Sequence, residues 1–364
     1  MKYFSLVFTL LLFSGCTKIT QEQKLGSLIQ AYHNYQKGPN SDFVLGDYSE
    51  SKFEKRASFC DSLLTQLKKI NSDTFNEDDK ISYELLTFVL KENVTQYKFK
   101  THWNPILSDA GFHSSLTYQV RPITNKNGAL NYLKKLKAIP LYIAQQTNLI
   151  RKGLAAGMGQ PLVIFKGYES TYEQHITSTA EENFYYSPFL NLPTPLSETE
   201  KDSLQTAAKK VVLEKVIPSF KAVKIFFEKE YYPSTRNSIG VSETPNGKAY
   251  YQSRIYYYST LNLTAEEIHQ KGLDEVARIK AQMEAIVQEV EFKGTLKEFI
   301  TFLRTDPQFY AKTPDELLQH ARNIAKKLDE QLPRYFKTLP RKPYGVAPVP
   351  DAIAPKYTGG RYVG

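Results

Sequence analysis

Leu263-Thr-Ala-Glu-Glu-Ile268 is the stretch from which the fold is read. A Thr three residues ahead of a Glu makes a capping box. The Thr264 hydroxyl can accept from a free amide of the first helical turn, and Glu267 can reach back to the amide of Thr264. Leu263 and Ile268 stand where a hydrophobic staple would close across that cap. Behind it Val276, Ile279, Met283, Ile286 and Val290 recur at alternating steps of three and four, one apolar stripe on a helix. The device repeats twice. Thr295-Leu-Lys-Glu298 starts a short helix with Leu296, Phe299, Ile300 and Leu303 inward, stopped at Asp306-Pro307. Thr313-Pro-Asp-Glu316 starts another, with Pro314 where a missing N–H costs nothing. Leu317, Ala321, Ile324 and Leu328 form its expected buried face, and Pro333 is read as its end. Just upstream, Lys248-Ala-Tyr-Tyr-Gln-Ser-Arg-Ile-Tyr-Tyr-Tyr258 is aromatic and β-branched enough to be read as one extended strand.

Working back from there, Leu196-Ser197-Glu-Thr-Glu200 caps a helix that continues through Val212, Val216, Phe220, Val223 and Phe227 to Tyr232-Pro233. Tyr185-Tyr186-Ser-Pro188-Phe189, with Pro193 and Pro195 after it, reads as a rigid connector between a helical region at 21–190 and a second at 191–364. Residues 127–154 are helical around Pro140, which kinks the helix or divides it. Gly153, Gly157 and Gly159 read as a C-cap and turn, because the Lys-Ser/Thr of a phosphate loop is missing. Helices are expected at 21–37, 51–70 and 77–98, with Cys60 a small buried hydrophobe beside Ala57 and Leu64. His102-Trp103-Asn104-Pro105 then breaks the pattern, and the segment to Arg121-Pro122 reads as a structured loop placed to line a groove.

At the N-terminus, one Lys precedes an apolar run that is too short to span a bilayer, so residues 1–15 read as a secretory signal. Ser14-Gly15-Cys16 resembles the bacterial lipobox, in which the cysteine is acylated and becomes the new N-terminus. The alternative is an ordinary signal peptide with a coincidental Cys. On the first reading residues 16–20 are a lipidated tether, Cys16 is the membrane anchor, and Thr17, not being acidic, leans toward an outer-membrane destination facing the periplasm. Acylation leaves Cys60 without a disulfide partner, since the chain has only 2 Cys.

Charge and chemistry exclude more than they assign. The formal net charge is +9, yet Glu266, Glu267, Lys271, Asp274, Glu275, Arg278 and Lys280 alternate in sign along one helix. That is a solvated face, not a nucleic-acid stripe. Among the 6 His no two lie three or four apart and none is followed by Glu, so no helix offers a zinc pair. No G-x-S-x-G, paired-Cys motif or phosphate loop is present. Glu173 and His175 are two apart, on different helix faces, which makes His175 a satisfied surface histidine rather than a ligand.

Several motifs together resemble a known family. Thr244-Pro-Asn-Gly-Lys-Ala-Tyr250, Tyr256-Tyr-Tyr-Ser-Thr-Leu-Asn-Leu-Thr-Ala-Glu-Glu-Ile-His269, Gly272-Leu-Asp-Glu-Val-Ala-Arg-Ile-Lys-Ala-Gln-Met283, Phe302-Leu-Arg-Thr-Asp-Pro307 and Leu339-Pro-Arg-Lys-Pro-Tyr-Gly-Val-Ala-Pro-Val-Pro350 are similar, in order and spacing, to the bacterial DUF885 family. The resemblance implies a mainly α, multi-helix scaffold like that of gluzincin metallopeptidases, here with a short β element near 248–258. It also implies zinc and a peptide substrate for the complete family member, whose metal motif resembles His-Glu-x-x-Pro-Gly-His-His. That motif is expected downstream of residue 364, so the sequence reads as an N-terminal fragment that holds no catalytic or metal-binding residue and no zinc. Apolar helix faces are then expected to be exposed, leaving the isolated chain less stable and more prone to aggregate. Tyr357, Arg361 and Tyr362 are the residues expected to border a cleft. The rival reading is a non-catalytic lipoprotein that binds peptides or glycans through grooves lined by Tyr256, Tyr257 and Tyr258, or by Tyr185 and Tyr186.

Overall fold

The computed structural model describes residues 19–38, 43–106, 111–351, 354, 357 and 359–362. Its contacts divide the chain into two units, one ending at Ser253 and the other Arg254–Gly364. The fold is mainly α, as the caps predict. Among the described residues the β pairing consists of isolated bridges, Ile106 with Gly111 and Pro161 with Arg236.

In the first unit α1 (Gln21–Lys37) starts from a capping box between Thr20 and Gln23. It packs on α2 (Glu50–Leu67) and α3 (Glu77–Lys98) around Leu25, Cys60, Leu63, Leu67 and Leu90. Cys60 is free and buried there, as read. α4 (Lys126–Ala155) runs unbroken through Pro140 and buries Ala129, Leu133, Leu136, Ile143 and Ile150 in a larger core. That core also takes in the short α5 (Ser170–Glu173), then α6 (Glu198–Val211) and α7 (Ile217–Phe226).

A π turn at Val212–Val216 joins α6 to α7, and a second at Phe227–Tyr231 follows α7. The sequence explains the first. Leu204, Ala208, Val212, Val216 and Phe220 are all buried at steps of four. At ~100° per residue such a series drifts by about 160° around an ideal helix. A wider turn absorbs the drift and keeps the row facing the core.

The strand expected at 248–258 is instead helix α8 (Gly247–Ser259). Aromatic enrichment favours a pleated, half-buried surface only when a partner strand completes the ladder. No ladder forms among the described residues, and a helix satisfies its backbone groups internally. The connector at 185–189 is likewise a core element. Tyr185, Tyr186 and Phe189 are buried in the larger core together with residues of α4, α6 and α7.

The second unit holds α9 (Ala265–Glu289), α10 (Leu296–Thr305) and α11 (Pro314–Tyr335). The boxes at Thr264/Glu267 and Thr295/Glu298 close as read, and Thr313 Oγ1 accepts from the Glu316 amide. Pro333 lies within α11, which ends two residues later. The stripes on α9 and α11 exist, and the face of α11 expected to be buried is exposed, as the α9 stripe is. Val276 is 65% exposed and Leu317 63%, with Ile279, Ile286, Ile324 and Leu328 exposed as well. Periodicity defines a face; only a packed neighbour buries it.

Candidate functional site

The site begins with an unusual turn. α3 ends at Lys98, and Lys100 then adopts a left-handed backbone, φ 52°, that costs a non-glycine residue about 1–2 kcal/mol. Its ammonium sits 3.4 Å from the centre of the Tyr97 ring, a cation–π contact that offsets some of that strain. The reversal sends Thr101–Trp103 back, as a single 3₁₀ turn, against the first turn of α2.

There the three segments meet on one carboxylate. Glu50 accepts from Trp103 Nε1 at 2.7 Å, from His102 Nε2 at 3.1 Å and from Lys152 Nζ on α4 at 3.2 Å, with Lys100 Nζ at 3.8 Å. Partial burial works to raise the Glu50 pKa, but these donors outweigh it and hold the carboxyl at about 2. α4 comes this close because Gly153 lies under Trp103, where a Cβ would stand 2.4 Å from the Trp103 carbonyl oxygen. Gly153 is thus a packing position inside α4. Gly157, with φ +73°, is the residue that makes the turn.

His102 is held like a card between two rings. Phe53 stacks at 4.3 Å between centroids and 14° between planes, and Tyr97 lies on the other side at 5.5 Å and 6°. Its side chain is only 5% exposed. Burial lowers the His102 pKa, with Lys100 and Lys152 adding to the effect and Glu50 opposing it. An ionised carboxylate can only accept, so Nε2 carries the proton and the neutral ring keeps its lone pair on Nδ1. That nitrogen has no hydrogen-bond partner among the described residues.

Beside the ring a cavity of about 320 Å³ opens between α2 and α3. Phe53 and Arg56 come from α2, Asn93, Gln96 and Tyr97 from one face of α3, and Thr101 and His102 from the turn. Arg56 is exposed and has no carboxylate within ion-pair distance among the described residues. Asn93 uses its amide N–H groups on Val89 O and Tyr32 Oη, leaving its carbonyl oxygen toward other donors. A neutral acceptor and an uncommitted guanidinium together suit a ligand with both an anionic end and an N–H. The sequence marked 102–105 as the start of a groove-lining loop; the pairing of His102 with Glu50, 52 residues away, carried no local signal.

A second cluster lies in the core. His113 is 0% exposed, with Nε2 2.8 Å from Thr171 Oγ1 and Nδ1 unpartnered. His175, expected at the surface, is 1% exposed, and neither ring nitrogen has a partner among the described residues. Its two-residue offset from Glu173 turns it inward, between Phe220 at 4.6 Å and Tyr185 at 5.0 Å. Burial pushes His175 down to about 4; burial, then the charge of His175, pushes His113 down to about 3.

Of the residues singled out from sequence, Cys16 and the signal segment 1–15 lie outside the described residues. The Arg361 guanidinium lies 4.9 Å over the Tyr357 ring, and Tyr362 is exposed. Tyr185 and Tyr186 are core residues, so they line no groove. Tyr256, Tyr257 and Tyr258 belong to helix α8 rather than to a strand. Zinc finds no fitting donor set here: no three His, Cys, Asp or Glu side chains come together among the described residues.

These features define a helical protein with a basic, aromatic pocket on its N-terminal helices. The chain belongs to the DUF885 family, bacterial proteins of unknown function, whose model matches residues 31–364. It is similar in fold to a crystal structure described as "the putative lipoprotein from Colwellia psychrerythraea", with a TM-score of 0.77 and 21% identity over 95% of this chain. The match takes up 65% of that structure's chain, so the present chain spans somewhat less than two thirds of its length. No curated protein matches.

Proposed function

We propose that this chain is the helical, peptide-holding part of a cell-envelope peptidase, anchored to the membrane through acylated Cys16. The observation that carries the reading is the family match across residues 31–364, which spans the motifs by which this chain resembles that family; a peptidase activity is what the resemblance implies for the complete protein. The lipoprotein description of the similar structure and the lipobox-like Ser14-Gly15-Cys16 support the anchor. On this reading the protein faces the periplasm from the outer membrane. The zinc implied by the resemblance is held by polypeptide outside these 364 residues, in keeping with a similar fold whose chain is longer.

The test compares two purified proteins, this chain and a version extended to the length of the similar structure, on a mixed peptide library. Cleavage by the longer protein alone, stopped by chelator and restored by zinc, is the expected result. Chelator-sensitive, zinc-restored cleavage by the 364-residue chain itself would overturn the division of labour, and no cleavage by either would overturn the peptidase reading.

A further inference from the structure

We infer that the cavity between α2 and α3 binds the C-terminal end of a short peptide, with Arg56 taking the carboxylate and His102 Nδ1 accepting from the last amide N–H. The inference rests on the peptide-handling reading above and adds to it a place and a polarity.

Four observations converge. Arg56 is the cation on the cavity wall, and its guanidinium has no carboxylate partner among the described residues, so a planar anion meets an uncommitted fork of donors. Lys100 and Lys152 add positive charge on the His102 side, and Glu50, which answers them, is already saturated with donors. His102 is nineteen-twentieths buried, yet its Nδ1 lone pair is unclaimed, and Asn93 offers a second acceptor. Those acceptors call for N–H groups, which a bare carboxylic acid lacks and a peptide end supplies. The volume of about 320 Å³ is at the small end for ligand sites, which fits one or two residues rather than a long extended strand.

The site is also pre-set. Its walls are helices, and the turn that carries His102 is tied to α2 and α4 through Glu50, so little ordering is left for binding to pay for.

The experiment uses the full chain and reads the emission of Trp103, the single Trp of the sequence, whose ring lies 6.0 Å from that of His102. The probes are acetyl-Gly-Phe with a free carboxylate, its C-terminal amide, acetate, and a cello-oligosaccharide. The carboxylate peptide is expected to bind at least about tenfold more tightly than the amide, since a charge-assisted bidentate contact is lost. Arg56→Gln should erase that difference while leaving the thermal midpoint unchanged, and Arg56→Lys should restore part of it. Equal binding of acid and amide, binding of acetate as tight as the peptide, preference for the oligosaccharide, or no binding of any probe would each overturn the assignment. Binding needs no cleavage. A positive titration beside a failed peptidase assay would remove the enzyme and keep the pocket, and the converse would remove the pocket alone.

Discussion

Mild acid should destabilise the first unit, and the two core histidines set the size of the effect. Both imidazoles have folded-state pKa values below their ordinary 6.5, about 3 for His113 and about 4 for His175. The unfolded chain therefore binds more protons than the native one in this range, and stability must rise with pH. It is fully present above pH 6.5 and falls as pH drops, until each folded pKa is reached. From pH 6.5 to 5 each buried ring loses 1.36 kcal/mol per unit, about 2 kcal/mol apiece and about 4 kcal/mol for the pair. Against a typical total of about 5–15 kcal/mol, that is a large share. His102, also lowered by burial, adds in the same direction. Carboxylates do not blur the window. Glu50, held at about 2, keeps its contribution down to its ordinary 4.5 and loses it only below that.

Urea unfolding followed by Trp103 emission reports on this unit, because the chain has 1 Trp. The midpoint should drop sharply between pH 7 and pH 5. His175→Leu removes one titrating ring from a pocket that gives it no hydrogen bond, so the drop should shrink by about half. A wild-type midpoint equal at the two pH values would refute the argument. So would a variant that loses as much as the wild type.

Four further outcomes are expected. Glu50→Gln removes the charge that ties Trp103, His102 and Lys152 together and should cost about 1–3 kcal/mol, with a shifted Trp103 emission maximum as the direct readout. Gly153→Ala places a methyl 2.4 Å from the Trp103 carbonyl oxygen, a backbone atom that cannot step aside, and should destabilise by about 1–3 kcal/mol in urea titration. Gly272→Ala in α9 meets nothing within 4 Å and should instead stabilise its helix by about 0.5–1 kcal/mol, read by the thermal midpoint of the second unit. Val276→Glu with Ile286→Lys, at exposed stripe positions of α9, should leave that midpoint nearly unchanged and reduce light scattering at high concentration.

Helices and their starts were legible because a cap is local chemistry. Thr264 with Glu267, Thr295 with Glu298 and Ser197 with Glu200 each close within four residues, and each was readable from spacing alone. What failed was whatever depended on a distant partner. The Tyr-rich 248–258 segment has strand-like composition, but strands need neighbours, and the sequence does not say whether one exists. Helical phase to Glu173 points His175 at solvent, whereas Phe220 and Tyr185 decide its burial. The α11 stripe is sound as a face and exposed rather than buried, for the same reason. The pocket was half-visible. The break at 102–105 marked a groove, yet the contact that shapes it joins residues 50, 102 and 152.

That joining has a consequence for where chemistry can reside. An imidazole oriented by a carboxylate next to a cavity resembles half of a general-base site, and its lowered pKa keeps the base free at neutral pH. Thr101 Oγ1, the nearby hydroxyl on the cavity wall, is engaged with Gln96, and no Ser or Cys lines the cavity. What the cavity wall offers a ligand is the Arg56 guanidinium and the acceptors of Asn93 and His102. A lone pair aimed at an amide N–H grips a peptide without activating it. On the proposed reading the pocket fixes the end of the peptide and a catalytic centre held elsewhere in the complete protein acts on it. Arg56→Gln should then raise KM of the extended protein for peptides ending in a free carboxylate, with kcat unchanged and amidated peptides unaffected. A fall in kcat with KM constant would place the pocket in the chemistry after all.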